Sequence, residues 1–267
     1  MKKASLLILT FIGVFSFNGL AFATPSTTYW TPATTDIQPF GILHLGVDNY
    51  FTVFRKTKNG ASAFGTDGGL TIGVLPFEKL QMEVGIDLIE PTDYPISFNA
   101  KLGTPENSLF KESPALNIGI FNVGTKKDIT NQNIVFGLVG KTIPVLGRLF
   151  VGLYIGNSKA LVDKNGDKEN TGFMIGFDRG FFPAKDTEGN SYNKLVFAAD
   201  YASGKNSIGG GGVGLYYYFT KDISLLTGPV WFNEKEINGK WKWTIQLDIN
   251  VDPVKGFKKL FSIGEQK

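Results

Sequence analysis

The sequence predicts an all-β protein, an antiparallel transmembrane β-barrel of about twelve strands in up-and-down order. Three observations predict it: apolar/polar alternation in segments of membrane-crossing length, links that alternate between tight and long, and aromatic residues at segment ends. The alternation is clearest in WKWTIQLDINV. Trp241, Trp243, Ile245, Leu247, Ile249 and Val251 are apolar, and Lys242, Thr244, Gln246, Asp248 and Asn250 are polar. A period of two means an extended strand with one oily and one wet face. In a soluble sandwich the oily face points inward; in a membrane barrel it meets lipid and the wet face lines a lumen.

Met1-Lys2-Lys3 is followed by the apolar run Leu6 to Phe17 and then by Ala21-Phe22-Ala23. A positive start, a short apolar core and small residues at a cleavage position form a secretory signal peptide, 1–23, with the mature chain starting near Thr24. Residues 24–38 are expected as a periplasmic N-terminal segment, 39–251 as the barrel and 252–267 as a periplasmic tail. Of 27 basic and 24 acidic residues, Lys2 and Lys3 fall in the leader, so the exported chain is close to neutral. Nothing in that balance points to nucleic acid. There is no cysteine, which excludes a disulfide scaffold and a cysteine-linked lipid anchor. After the leader no stretch is long and apolar enough for a transmembrane helix, and 33 glycines with 13% aromatics suit β-structure with tight turns.

Along the mature chain the expected strands are Gly41–Tyr50, Gly68–Leu75, Leu80–Ile89, Ile96–Gly103, Ala115–Gly124, Asn133–Thr142, Arg148–Gly156, Thr171–Asp178, Lys194–Tyr201, Gly211–Phe219, Ile223–Phe232 and Trp241–Val251. Most have the length that crosses a bilayer when tilted. Two are less regular: Ile223–Phe232 contains Gly228-Pro229, and Ile134–Lys141 is apolar on both faces. With both termini on the inner side, inner turns should be short and outer loops long. Pro76–Lys79, Ile143–Gly147 and Thr220–Asp222 are tight. Arg55–Thr66, Thr125–Asn131, Asn157–Asn170, Ser203–Gly210 and Asn233–Lys240 are polar loops on the other parity. Thr104–Pro114 and Arg179–Asn193 break the rule by length, and Glu90–Pro95 by shortness.

Trp and Tyr favour the headgroup level at both rims. Trp241, Trp243 and Tyr201 fall near outer strand ends, and Tyr217 and Phe219 at an inner end. Core aromatics of a sandwich would favour strand middles, so these read as a girdle. Export signal, alternation, girdle and an even strand count together resemble Gram-negative outer-membrane β-barrel proteins over essentially the whole mature length. That resemblance implies an outer-membrane location, contact with outer-membrane lipid and insertion by the outer-membrane assembly machinery. The chain departs from the pattern at its end, where the last strand is followed by Asp252–Lys267 in place of a terminal aromatic. In that tail Phe257, Leu260 and Phe261 with Lys255, Lys258 and Lys259 form a short amphipathic piece, read as a frayed terminus before a plug of the inner mouth.

Catalytic constellations are nearly absent, and no enzyme activity or cofactor is expected. Outer-membrane phospholipases of this class carry serine two residues after their histidine; here His44 is followed by Gly46. A nucleophile elbow is missing too. Asp163, Asn165, Asp167 and Glu169 resemble the start of a calcium loop, but Lys168 replaces its glycine and no distal glutamate follows. Asn-Gly-Asp is also an ordinary turn, and that reading is preferred. The glycine run Gly209–Gly212 lacks the Lys-Ser/Thr of a phosphate loop and opens a strand.

The informative set is the lumen face. By parity it holds His44, the acids Asp48, Glu83, Asp87, Asp178, Asp200 and Asp248, and the bases Lys101, Lys141, Arg148, Lys194 and Lys242. Such a balance predicts no strong ion selectivity. Three functions fit. The first is a monomeric, narrow, porin-like channel for passive diffusion of small polar solutes. The second is a closed structural or surface-interaction barrel whose charges pair across a filled interior. The third is a soluble periplasmic β-protein that binds an apolar ligand.

Overall fold

The computed structural model describes residues 29–53 and 65–253. The strands are β1 (Leu43–Phe51), β2 (Thr66–Gly73), β3 (Gln81–Glu90), β4 (Ile96–Thr104), β5 (Ala115–Gly124) and β6 (Asn131–Ile143). They continue with β7 (Gly147–Ile155), β8 (Thr171–Lys185), β9 (Ser191–Ala202), β10 (Gly210–Thr220), β11 (Ile223–Phe232) and β12 (Lys242–Val251). Each pairs antiparallel with its sequence neighbours, and β1 pairs β12 from Leu43–Val251 to Phe51–Trp243, closing the barrel. One short helix, α1 (Lys235–Asn238), lies in the β11–β12 link. The near end of the barrel is where β1 begins, and the far end is where it finishes.

Exposure inverts the soluble pattern. In β12, Gln246 is 1% exposed and Thr244 is fully buried, while Ile245 is 40% and Leu247 is 37% exposed. The odd face of WKWTIQLDINV therefore points outward. Val139 and Val151 sit opposite each other on β6 and β7, and both are exposed. Every strand contributes apolar side chains to this outer band, the surface that hydrocarbon demands. Aromatic residues mark its two edges. Phe51, Phe173, Trp231 and Trp241 stand exposed toward the far end; Phe77, Phe110, Tyr217 and Phe219 do so toward the near end.

Observed strand bounds fall within two residues of the sequence reading except in one hairpin. There β8 runs to Lys185 and β9 starts at Ser191, so the stretch expected as a long inner loop, Arg179–Asn193, is strand closed by the turn 186–190. The Asp186 carboxylate shapes that turn by accepting from the side chain of Asn190 and from the backbone N–H groups of Glu188 and Asn190. This correction brings the hairpin into line with short near-end turns, leaving 105–114 as the long one. The far end carries the longest links, 52–65 and 156–170. Gly228-Pro229 does not break β11. Its pairing with β12 is continuous, and on the β10 side the ladder skips those two residues without changing register.

Replacing Val151 by arginine puts a guanidinium among lipid tails and costs about 2–4 kcal/mol near mid-bilayer. Denaturant titration of the variant in phospholipid vesicles measures that loss, whereas an inward-facing Val151 would produce a packing defect insensitive to lipid.

Candidate functional site

The interior is occupied by the chain itself. Residues 29–38, expected as a segment outside the barrel, run inside it from the far half toward the near mouth. At the near mouth Gly41 (φ +75°) turns the chain into β1 and Phe40 bridges Gly73. Glycine permits that left-handed turn at no steric cost. The wall is hollowed along the segment's path. A Cβ at Gly176 would overlap the Ala33 carbonyl, one at Gly140 the Thr35 side chain, and one at Gly212 the ring of Tyr29. These are inward positions of β8, β6 and β10, where any side chain would evict the segment.

Three polar anchors hold it. The Asp200 carboxylate accepts from the backbone N–H groups of Tyr29 (2.9 Å), Trp30 (2.8 Å) and Thr31 (2.8 Å). Arg148 donates to both oxygens of Asp36 (2.6 and 2.8 Å) while also gripping Asp178 across the β7–β8 ladder. Glu83 accepts from the Gln38 N–H (2.6 Å) and pairs with Lys101 (3.2 Å) opposite it on β4. Asn117 donates to the Thr34 carbonyl and Gln246 to that of Tyr29. Charge-assisted bonds of this kind are each worth about 1.5–3 kcal/mol and are costly to leave half-made. Apolar contacts fill the remainder. Trp30 sets its ring edge-on to Tyr50 (5.4 Å) and Phe232 (5.1 Å), and Ala33 packs among Ile134, Phe136, Leu138 and Met174. That second cluster explains why β6 is apolar on both faces.

Two cavities flank the segment. The far one, of about 320 Å³, lies between Tyr29, Trp30 and the β1–β6 wall and includes Asp48, Asp67 and Asp87. The near one, of about 830 Å³, is bounded by Asp36–Pro39, the 186–190 turn and the near ends of β10, β11 and β12.

Ten of the twelve side chains expected on the lumen face lie there. Glu83, Lys101, Asp178, Asp200, Lys242, Asp248 and His44 are buried, Arg148 is gripped as above, and Asp48 and Asp87 border the far cavity. Lys141 and Lys194 do not. The inward positions of β6 are even-numbered there, so Lys141 stands on the outer parity and pairs with Glu106 of the 105–114 turn at 2.7 Å. Lys194 is exposed at the near end of β9, beside the left-handed Phe182 of β8 that interrupts the pairing. Two acids join the lumen instead: Asp36, from the segment, and Asp67, opposite Asp48 on β2. Among the described residues the expected near-balance of charge thus becomes an acidic excess. Asp67 was hidden in GTDGG, which reads as a turn. The buried segment had one signal, the inward glycines of strands that otherwise alternate.

His44 lies 3.3 Å from Asp248 through Nε2 and 2.9 Å from Asn250 through Nδ1, so both ring nitrogens have oxygen partners. Ser224 donates to Asp248, not to the histidine, and no nucleophile relay forms. Tyr201, Trp241 and Trp243 stand on the outer parity toward the far end, and Trp243 donates to the Thr227 hydroxyl at 2.7 Å. In the 156–170 loop, the backbone N–H groups of Asp167 and Asn165 hold the Asp163 carboxyl below its usual range. Asp163 thus organises a turn at Gly166, while Glu169 accepts from the Lys205 N–H in another loop. Among the described residues no acid or histidine cluster is arranged to hold a metal ion. The leader 1–23 and the tail from residue 254 lie outside the described residues.

No family model and no curated protein matches the chain. Among solved structures it is similar to the NanC porin, with a TM-score of 0.49, 7% identity, and coverage of 78% of this chain and 98% of that one. It is also similar to the KdgM porin, with a TM-score of 0.47, 7% identity and the same coverages. A third likeness is to an outer membrane channel from Pseudomonas putida F1, with a TM-score of 0.44, 10% identity, and coverage of 86% and 100%.

Two substitutions probe the segment. Asp200→Ala leaves the N–H groups of Tyr29, Trp30 and Thr31 without their acceptor and lowers unfolding stability by on the order of 3 kcal/mol. Gly176→Val drives the segment from its track, so a probe attached at residue 33 gains accessibility to water-soluble quenchers while the barrel keeps its heat-modifiable gel mobility.

Proposed function

We propose that this chain is a monomeric channel of the Gram-negative outer membrane, passing small polar solutes by diffusion, with its bore narrowed by its own residues 29–38. The near end then faces the periplasm and the long loops face outward. The observation that carries the reading is the pair of cavities, one toward each mouth, separated by a segment tethered through hydrogen bonds and ion pairs. A twelve-strand wall encloses more space than its own side chains fill. Here much of the remaining space is taken by the segment 29–38. An exterior of exposed valine, leucine and isoleucine between aromatic edges supports contact with outer-membrane lipid.

A closed barrel is the second reading. It is favoured by the two buried apolar clusters that clasp the segment. Single-channel recording separates the two. The mature protein should give small discrete steps, and deletion of residues 29–38 should raise their conductance several-fold. A folded, detergent-dependent protein that conducts neither with nor without the segment is a closed barrel.

A further inference from the structure

Among the described residues most charges of the wall have a partner; Lys242 donates to the Thr52 hydroxyl at 3.2 Å. Glu83 has Lys101, Asp178 and Asp36 have Arg148, Asp248 has His44, and Asp200 has three backbone N–H groups. Asp48, Asp67 and Asp87 have no cation within ion-pair distance among the described residues. They stand on the inward faces of three successive strands. Asp48 is directly opposite Asp67 in the β1–β2 register, and Asp87 is opposite Gly69, with its carboxylate 3.2 Å from where a Cβ there would be. Asp87 accepts one hydrogen bond, from Asn99 at 2.7 Å, and one oxygen of Asp67 is buried with no partner at all. Like charges placed directly across a ladder destabilise it. All three carboxylates border the far cavity.

The described groups facing them supply no free counter-charge. Across the far cavity, Tyr29, Trp30, Asn122, Gln132, Ser207 and Asn238 are all uncharged, and its one ammonium, Lys101, is buried against Glu83. The near cavity has the same sign: Asp36, Asp186, Glu188, Asp222, Asp248 and Asp252 border it, against Lys185 and Lys221. A cleft lined by one sign of charge, with low-dielectric walls, concentrates ions of the other sign.

We infer that the lumen selects cations, with Asp48, Asp67 and Asp87 of the far cavity as the groups that set the preference. This rests on the channel reading and names the solute class that it admits: small cations and cation-bearing polar solutes. A count of lumen charges by parity alone misses it, because Lys141 and Lys194 are on that list and Asp36 and Asp67 are not.

The test is the reversal potential of the refolded mature protein in a planar bilayer under a potassium chloride gradient. It is repeated with Asp48→Asn, Asp67→Asn and Asp87→Asn singly and combined, and in the variant lacking residues 29–38. The expected result is a preference for K⁺ over Cl⁻ on the order of tenfold, the enrichment given by a potential of a few kT, falling several-fold in the combined variant. The amide variants relieve like-charge repulsion and should fold at least as well, which heat-modifiable mobility checks. A chloride preference, or a potassium preference untouched by the three substitutions, overturns the inference and leaves the channel standing. Folded protein that gives no steps, with or without the segment, overturns the channel reading and the inference together.

Discussion

The ladder from Leu43–Val251 to Phe51–Trp243 joins the last strand to the first and leaves no row of unpaired N–H and C=O groups facing outward. In hydrocarbon such an edge has no water to bond, so closure is what permits the apolar outer face at all. Closure also dictates the rest. A sheet wrapped on itself has one face that meets lipid and one that does not, and the alternation of each strand must follow that division. Buried Thr244 and Gln246 beside exposed Ile245 and Leu247 are the result.

A cylinder of this girth then poses a packing problem that its wall does not solve alone. The solution here is an added extended segment laid against glycine positions on the inner face. Its backbone has no ladder of its own, so its N–H and C=O groups need side-chain partners, and polar and charged residues of the wall supply them at Tyr29, Trp30, Thr31, Thr34 and Gln38. Asp200, Glu83, Asn117 and Gln246 thus bond the backbone of a buried segment, and Arg148 bonds its Asp36 side chain. Lumen charges divide into those engaged in this framework and those left facing open space.

The fold was legible in the sequence because period-two alternation survives burial on either side; Ala115–Gly124 and Ile223–Phe232 match residue for residue. Lys185 and Ser191 were missed as strand because the hairpin extends past the apolar band, where alternation has no solvent contrast to report. The lumen face was legible wherever parity held through the strand. It failed at Lys141, because β6 carries apolar side chains on both faces and its phase was ambiguous, and at Lys194, next to the irregular backbone at Phe182. The segment 29–38 was not legible as an interior element. Its partners are set by tertiary placement, and a stretch such as Tyr29–Gln38 has no periodicity that distinguishes a buried strand from a linker.

The segment also constrains the order of assembly. Tyr29 meets Asp200 across 171 positions of sequence and Gln246 across 217. The partners lie on β9 and β12, so these pairings form only after late strands have joined the wall. The piece of the described chain nearest the amino end therefore finds its surface last. Gln246 lies on β12, the strand that closes the barrel against β1, so the filling of the interior and the closing of the wall depend on the same strand.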